Sequence, residues 1–272
     1  MAITPFQSRI LKLLAKQRVE SGESYVAGGV ALNLLLSAPR RSRDIDLFHD
    51  TDVALAKTWQ TDRQLLSANG LEVRILREAP SFVEAVIVHG GDTTAMQWAR
   101  ESAFRFFPLI TDETMGLALH PFDLATNKVL AMAGRLEVRD WVDVLRCDAS
   151  LQPFGYLAWA ACGKDPGYNP RSLMAAASRL HYSQAEVDTL DFHIEQPDAA
   201  RLGAQWHAAL SESDRIISIL PPAAAGKCVV TRAGQLFRGS SVDLAAALKK
   251  DETRFHDGRI GGSWPRVFST AL

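Results

Sequence analysis

The chain has 272 residues, 47% apolar and 22% charged, with 30 Lys and Arg against 31 Asp and Glu. That length allows about one large domain or two modest ones, the composition excludes wholesale disorder, and a net charge of −1 leaves no global basic field to hold nucleic acid without specific contacts. No apolar run approaches the roughly 20 residues of a membrane span, Met1-Ala2-Ile3-Thr4-Pro5 lacks the order of a signal peptide, and the scattered Cys147, Cys162 and Cys228 exclude a disulfide framework or a four-cysteine zinc site and suit the cytoplasm.

Phe6, Ile10, Leu13 and Leu14 recur at helical spacing and predict an amphipathic helix over 6–20, ended by Gly22. A short strand over 24–27 runs into Gly28-Gly29, and an apolar helix over 30–36 stops before Pro39. A second strand covers 43–48, and a helix over 51–68 has Thr51 as its cap and Asn69-Gly70 as its stop. Strands follow over 71–76, 82–88 and 93–100, the last two joined by the turn His89-Gly90-Gly91-Asp92. Helices are predicted over 121–134 and 140–148. From about 150 the pattern becomes mostly helical, over 171–180, 183–190 and 198–219, with a hairpin over 227–238, a helix over 242–250 and an irregular tail. The expected fold is α+β: a mixed sheet flanked by helices in residues 1–150, then a mainly helical domain in 151–272.

The stretch that carries chemistry begins Tyr25-Val-Ala-Gly28-Gly29 and continues Arg40-Arg41-Ser42-Arg43-Asp44-Ile45-Asp46-Leu47. Side chains alternate along a strand, so Asp44 and Asp46 share a face while Ile45 and Leu47 point to the core. Carboxylates this close repel unless a cation lies between them. Mg²⁺ is the natural cation for such an oxygen site and usually retains water and substrate phosphates. Paired metal-binding carboxylates are what metal-assisted phosphoryl chemistry requires. Gly28-Gly29, between a strand and a helix, lets backbone approach an anion at the helix N-terminus. Arg40-Arg41-x-Arg43 could steady a triphosphate or an RNA backbone, or cap a turn.

Strand, Gly-Gly, helix, basic turn and Asp-x-Asp together resemble the polymerase-β-like nucleotidyltransferases. A second stretch, Asp123-Leu-Ala-Thr-Asn-Lys128 through Arg135 to Arg139-Asp140-Trp-Val-Asp143, resembles the second signature of the AbiEii-type toxin nucleotidyltransferases of toxin–antitoxin systems. The resemblance covers roughly residues 20–150. It implies transfer of a nucleoside monophosphate from an NTP to an RNA 3′ end, such as tRNA, or to a protein hydroxyl, and a cognate antitoxin as partner. It further implies that Asp44 and Asp46 hold Mg²⁺ or Mn²⁺, that Gly28, Gly29, Arg41, Arg43, Lys128 and Arg135 bind the nucleotide, and that Asp140 or Asp143 completes the site. On a continuous helix Lys128, Arg135 and Arg139 would share a stripe near Asp143, with Asp140 about 120° from Lys128. The chain departs from the family at Val30, where a hydroxyl residue is usual, and at Gln97, where a third carboxylate is usual. Either departure favours a protein that binds nucleotide without turning it over. Asp92, Glu84 and Glu101 are candidates for the missing carboxylate. Trp98, Trp141, Trp159 and Trp206 read as packing residues.

Overall fold

The computed structural model describes residues 2–267. It divides into two compact units, one formed by 1–103, 109–120 and 191–194, the other by 104–108, 121–190 and 195–272. The division differs from the expected one near 150: the two helices between 121 and 150 group with the later helices, because Pro121–Arg135 packs on Val138–Ser150, Phe154–Ala161 and Pro170–Ala177.

The first unit is built from α1 (Pro5–Ser21), β1 (Tyr25–Ala27), α2 (Gly28–Leu35), β2 (Asp44–His49), α3 (Asp52–Ala68), β3 (Glu72–Ala79), β4 (Phe82–His89) and β5 (Asp92–Arg100), with β7 (Ile110–Asp112) and β8 (Gly116–Ala118) added later. They form one mixed seven-stranded sheet in the order β3-β4-β5-β2-β1-β8-β7. The β2–β5 and β1–β8 pairs are parallel and the others antiparallel. Thr4 caps α1 and Thr51 caps α3, each accepting a backbone N–H at the third helical position. Burial alternates strictly along β2, with Ile45, Leu47 and His49 inside. Their face carries the core: Trp98 of β5, in register with Leu47, meets Trp59 of α3 at a ring distance of 4.7 Å.

A polar group lies within this core. Asp62 of α3 accepts a hydrogen bond from Trp98 Nε1 at 2.9 Å. Burial raises its carboxyl to about 6 against the opposing pull of that bond and of Arg18. Burial likewise lowers the His49 imidazole to about 4, while Nδ1 lies 3.2 Å from the Ala99 carbonyl. Arg18 donates to the Met115 carbonyl.

The second unit holds β6 (Phe104–Arg105), α4 (Pro121–Arg135), α5 (Val138–Ser150), α6 (Phe154–Ala161), α7 (Pro170–Ala177), α8 (Gln184–Val187), α9 (Ala199–Ile219), β9 (Cys228–Thr231), α10 (Ser241–Lys249), β10 (Thr253–His256) and β11 (Arg259–Ile260). Its interior is aromatic, with Trp206 of α9 against Phe154 at 5.0 Å and Trp141 at 6.4 Å. A second cluster joins Tyr156, Trp159, Ile216, Leu220, Val229 and Leu244. The predicted hairpin over 227–238 forms in short: Val230 bridges Leu236, the Thr231 N–H donates to the Gln235 carbonyl at 2.7 Å and the Phe237 N–H to the Val229 carbonyl at 3.1 Å. Along its other edge β9 pairs with β10. The tail expected to be irregular supplies β10 and β11. Among the described residues no helix is long and apolar enough to cross a membrane.

Candidate active site

Strand β2 brings Asp44 and Asp46 to the half-open face of the sheet, opposite the buried Ile45 and Leu47. Ala27, the last residue of β1, pairs with Asp46, so the chain enters Gly28 beside this carboxylate. Gly28 has φ +63°, and a Cβ there would sit 1.7 Å from Asp46 Oδ2. Only glycine satisfies both constraints. Gly28 therefore lets backbone and carboxylate occupy adjoining space.

Helix α2 begins at this point with Ala27 as its cap residue, whose methyl group gives no capping hydrogen bond. The N–H groups at a helix start are suited to an anion. Two polar side chains close on the same spot. A Cβ on Gly29 would lie 2.6 Å from Ser42 Oγ and 3.2 Å from Arg40 Nη2. Ser42 thus places a hydroxyl where Val30 supplies none.

The basic turn is fixed from several sides. Gln7 Nε2 donates to the Ser42 and Arg43 carbonyls at 2.9 and 3.1 Å, while its Oε1 accepts the Thr4 N–H in the α1 capping box. Asn33 Nδ2 donates to the Arg40 carbonyl at 2.9 Å. The Arg41 N–H donates to the Asp191 carbonyl at 2.8 Å, and Arg41 Nη1 lies 3.6 Å from Asp191 Oδ1. Arg43 is exposed. Ser42, Gln7 and Asp191 are the site residues that the sequence reading did not select. The Gln at the third position of α1 announces a capping box, but nothing in the sequence reveals its second bond.

Register places Gln97 of β5 beside Asp46, and Glu84 of β4 beside Gln97. The Gln97 amide donates to Glu84 Oε1 at 3.2 Å. Of the three candidate carboxylates, Glu84 is the one in this row. Asp92 lies at the hairpin end of β5, and Glu101 follows the strand.

The second group of predicted residues lies in the second unit. The two predicted helices are separate: α4 ends at Arg135, Leu136 has φ +54°, and α5 starts at Val138, so the stripe of a continuous helix does not form. The corner turns Asp140 back toward α4. Lys128 Nζ lies 2.8 Å from Asp140 Oδ1 and 3.1 Å from Asp143 Oδ2. Both carboxylates are buried, and the Lys128 side chain is only 10% exposed. Arg135 Nη2 adds an ion pair to Asp140 Oδ2 at 3.2 Å, from a half-exposed position. The Lys128 ammonium, expected to be presented to phosphate oxygens, is engaged by two carboxylates. A parallel arrangement joins Lys164 to Asp123 at 2.8 Å, while Asp123 accepts the Phe106 and Phe107 N–H groups. Trp98, Trp141, Trp159 and Trp206 are all buried.

Asp44 and Asp46 suit a small hard cation. Among the described residues no group of three or more His, Cys, Asp or Glu is assembled for a metal. Mg²⁺ needs only one or two carboxylates when substrate phosphates complete its shell. The two carboxylates on the half-open face of β2 fit that requirement.

No protein-family model matches the chain, and no curated protein matches it in sequence. Solved structures do match in fold. A Helicobacter pylori structure, titled as a candidate nucleotidyltransferase, aligns with a TM-score of 0.55 at 15% identity, covering 78% of this chain and 95% of that one. A second Helicobacter pylori structure aligns equally well at 13% identity, covering 79% and 95%. The nucleotidyltransferase toxin MenT4 of Mycobacterium tuberculosis aligns with a TM-score of 0.50 at 15% identity, covering 80% and 85%. The chain has a nucleotidyltransferase fold.

Proposed function

We propose that this protein transfers a nucleotidyl group from an NTP to an acceptor hydroxyl. One observation carries the reading: Asp44 and Asp46 share the half-open face of β2, with Asp46 seated against Gly28 at the start of α2. In this proposal the two carboxylates hold Mg²⁺ or Mn²⁺. When bound, such an ion neutralises phosphate charge and activates the acceptor oxygen. The first N–H groups of α2, Ser42 Oγ and the guanidinium of Arg40 bind phosphate oxygens, with Arg41 and Arg43 adding positive charge. The acceptor oxygen forms its bond to the α-phosphorus as the bond to pyrophosphate breaks. Catalysis of this kind rests on positioning and electrostatics, and the pinned turn at 39–43 holds its groups in place before substrate arrives.

For the acceptor we propose an RNA 3′ end, such as tRNA, with a protein hydroxyl as the other candidate. We also propose a toxin role checked by an antitoxin. Two features support these finer readings: the resemblance of 123–143 to the toxin signature, and the fold shared with MenT4. A second reading, nucleotide binding without turnover, is favoured by Gln97: an amide stands beside Asp46 and cannot accept a proton as a carboxylate does.

The test compares wild type with Asp44→Asn/Asp46→Asn. Mg²⁺-NTP should raise the wild-type melting temperature by mass action and leave the double variant unmoved. Labelled NTP with total RNA should give labelled RNA with the wild type alone. Equal thermal shifts in both proteins would remove the carboxylates from the site. A wild-type shift without label on RNA or protein would establish the binding reading.

A further inference from the structure

Helix α10 has two apolar faces. Leu244, Ala247 and Leu248 are buried or partly buried, with Leu244 and Leu248 packed in the cluster that holds Ile216 of α9 and Leu220 just after it. Val242, Ala245, Ala246 and Lys249 lie at i, i+3, i+4 and i+7, a single stripe on the other side. With Arg215, Ser218 and Ile219 of α9 this stripe lines a groove of about 580 Å³. Val242 is 77% exposed there.

The charged side chains lining the groove are cations, with the Glu212 carboxylate of α9 at its edge, on Arg215 and the Ser241 N–H. Arg215, Lys249 and Lys250 line it, and no carboxylate does. Arg215 is held from the α9 side by Glu212 at 2.7 Å, whereas Lys249 and Lys250 are exposed and have no carboxylate partner among the described residues.

We infer that this groove docks an acidic amphipathic helix of a partner protein. The apolar stripe repeats at helical spacing, the pattern that receives an i, i+3, i+4, i+7 face. The cations select Asp and Glu on that helix's flanks and repel basic ones. A nucleic-acid backbone would use the cations but has nothing to place on Val242, Ala245 and Ala246. The inference is independent of the proposed catalytic function, because it uses no residue of the Asp44–Asp46 site.

The experiment measures fluorescence anisotropy of a labelled peptide of about 16 residues, long enough to form a helix, with Leu at i, i+3, i+4 and i+7 and Glu on the flanks. The full-length wild type should bind it saturably. Val242→Glu and Lys249→Glu/Lys250→Glu should each weaken binding at least tenfold, and Val242→Leu should retain it. All of these positions are exposed, so melting temperatures should match wild type. Lys in place of Glu in the peptide should abolish binding. Failure of the Glu peptide to bind, equal binding to Val242→Glu, or equal binding of the Lys peptide would each overturn the inference. Displacement of the peptide by a single-stranded RNA oligonucleotide, with the same dependence on Val242, would assign the groove to RNA and overturn it too.

Discussion

Replacing Lys128 by Met removes one charge and keeps most of the stem volume, so it isolates what the ammonium does for the second unit. In the native arrangement that ammonium lies 2.8 Å from Asp140 and 3.1 Å from Asp143, and the carboxylates are 0% and 2% exposed. Removing one partner of a buried ion pair leaves uncompensated buried charge, which costs about 3–5 kcal/mol. For a unit of about 150 residues each kcal/mol moves the melting temperature by about 2–4 °C. The expected drop is therefore about 6–20 °C. Arg135→Met supplies the contrast. Its side chain is 50% exposed, so its pair with Asp140 belongs with surface bridges of at most about 1 kcal/mol. Adding Asp143→Asn to Lys128→Met should restore part of the loss, since one buried charge is removed and Arg135 still faces Asp140. Urea titration with thermal melting checks all four proteins. A Lys128→Met protein that melts within 2 °C of wild type would refute the reasoning, because an ammonium of so little consequence would have to be solvated.

Gly28→Ala should cost more than about 1 kcal/mol through its positive φ, and should also abolish the Mg²⁺-NTP thermal shift, because the new Cβ displaces Asp46; a retained shift would count against the carboxylate seat. Ser42→Ala should weaken NTP binding severalfold by isothermal titration while leaving the melting temperature of the ligand-free protein nearly unchanged. Gln97→Asp should raise nucleotidyl transfer, measured with labelled NTP, if the amide alone limits turnover. Asp62 is raised from 3.8 to about 6, so the native state binds the extra proton and stability falls as pH rises from about 4 to 6; His49, lowered from 6.5 to about 4, does the reverse over about pH 4 to 6.5. The two slopes oppose, so Asp62→Asn should expose the rising His49 slope, and its stability relative to wild type should grow by about 3 kcal/mol between pH 4 and 6.5 in urea titrations.

The parts of the fold that were legible share a local cause. Alternation alone puts Asp44 and Asp46 on one face and Ile45 and Leu47 on the other, and β2 follows that alternation throughout. Thr51 before an apolar-periodic run is a cap signal, and it caps α3. Helix α6 escaped for the opposite reason. Every residue of Phe154–Ala161 is buried, so it has no polar face and no periodicity to read. Strands β6, β7 and β8 are two or three residues long, too short for any period. The hairpin over 227–238 turns where its residues predict, but the pairing of the other edge of β9 with β10, some 25 residues later, leaves no local signal.

The site shows the same limit more sharply. Gly28-Gly29 and Asp-x-Asp are visible as separate motifs, yet what makes them one arrangement is the antiparallel register of Ala27 on Asp46. That register also decides which missing groups matter. Val30 lacks a hydroxyl, but the turn that enters β2 brings Ser42 to Gly29, so the chemistry lost at one position returns from another segment. Gln97 has no such replacement in contact with Asp46: the nearest carboxylate in its row, Glu84, is one strand further away and is held by the Gln97 amide itself. Neighbouring strands are about 4.8 Å apart, which puts the Glu84 backbone roughly 10 Å from that of Asp46. The phosphate end of the arrangement is therefore complete in side chains, and the acidic end is one carboxylate short. This asymmetry predicts an order of failure on β5: nucleotide binding should survive substitutions there that silence transfer, and none should do the reverse.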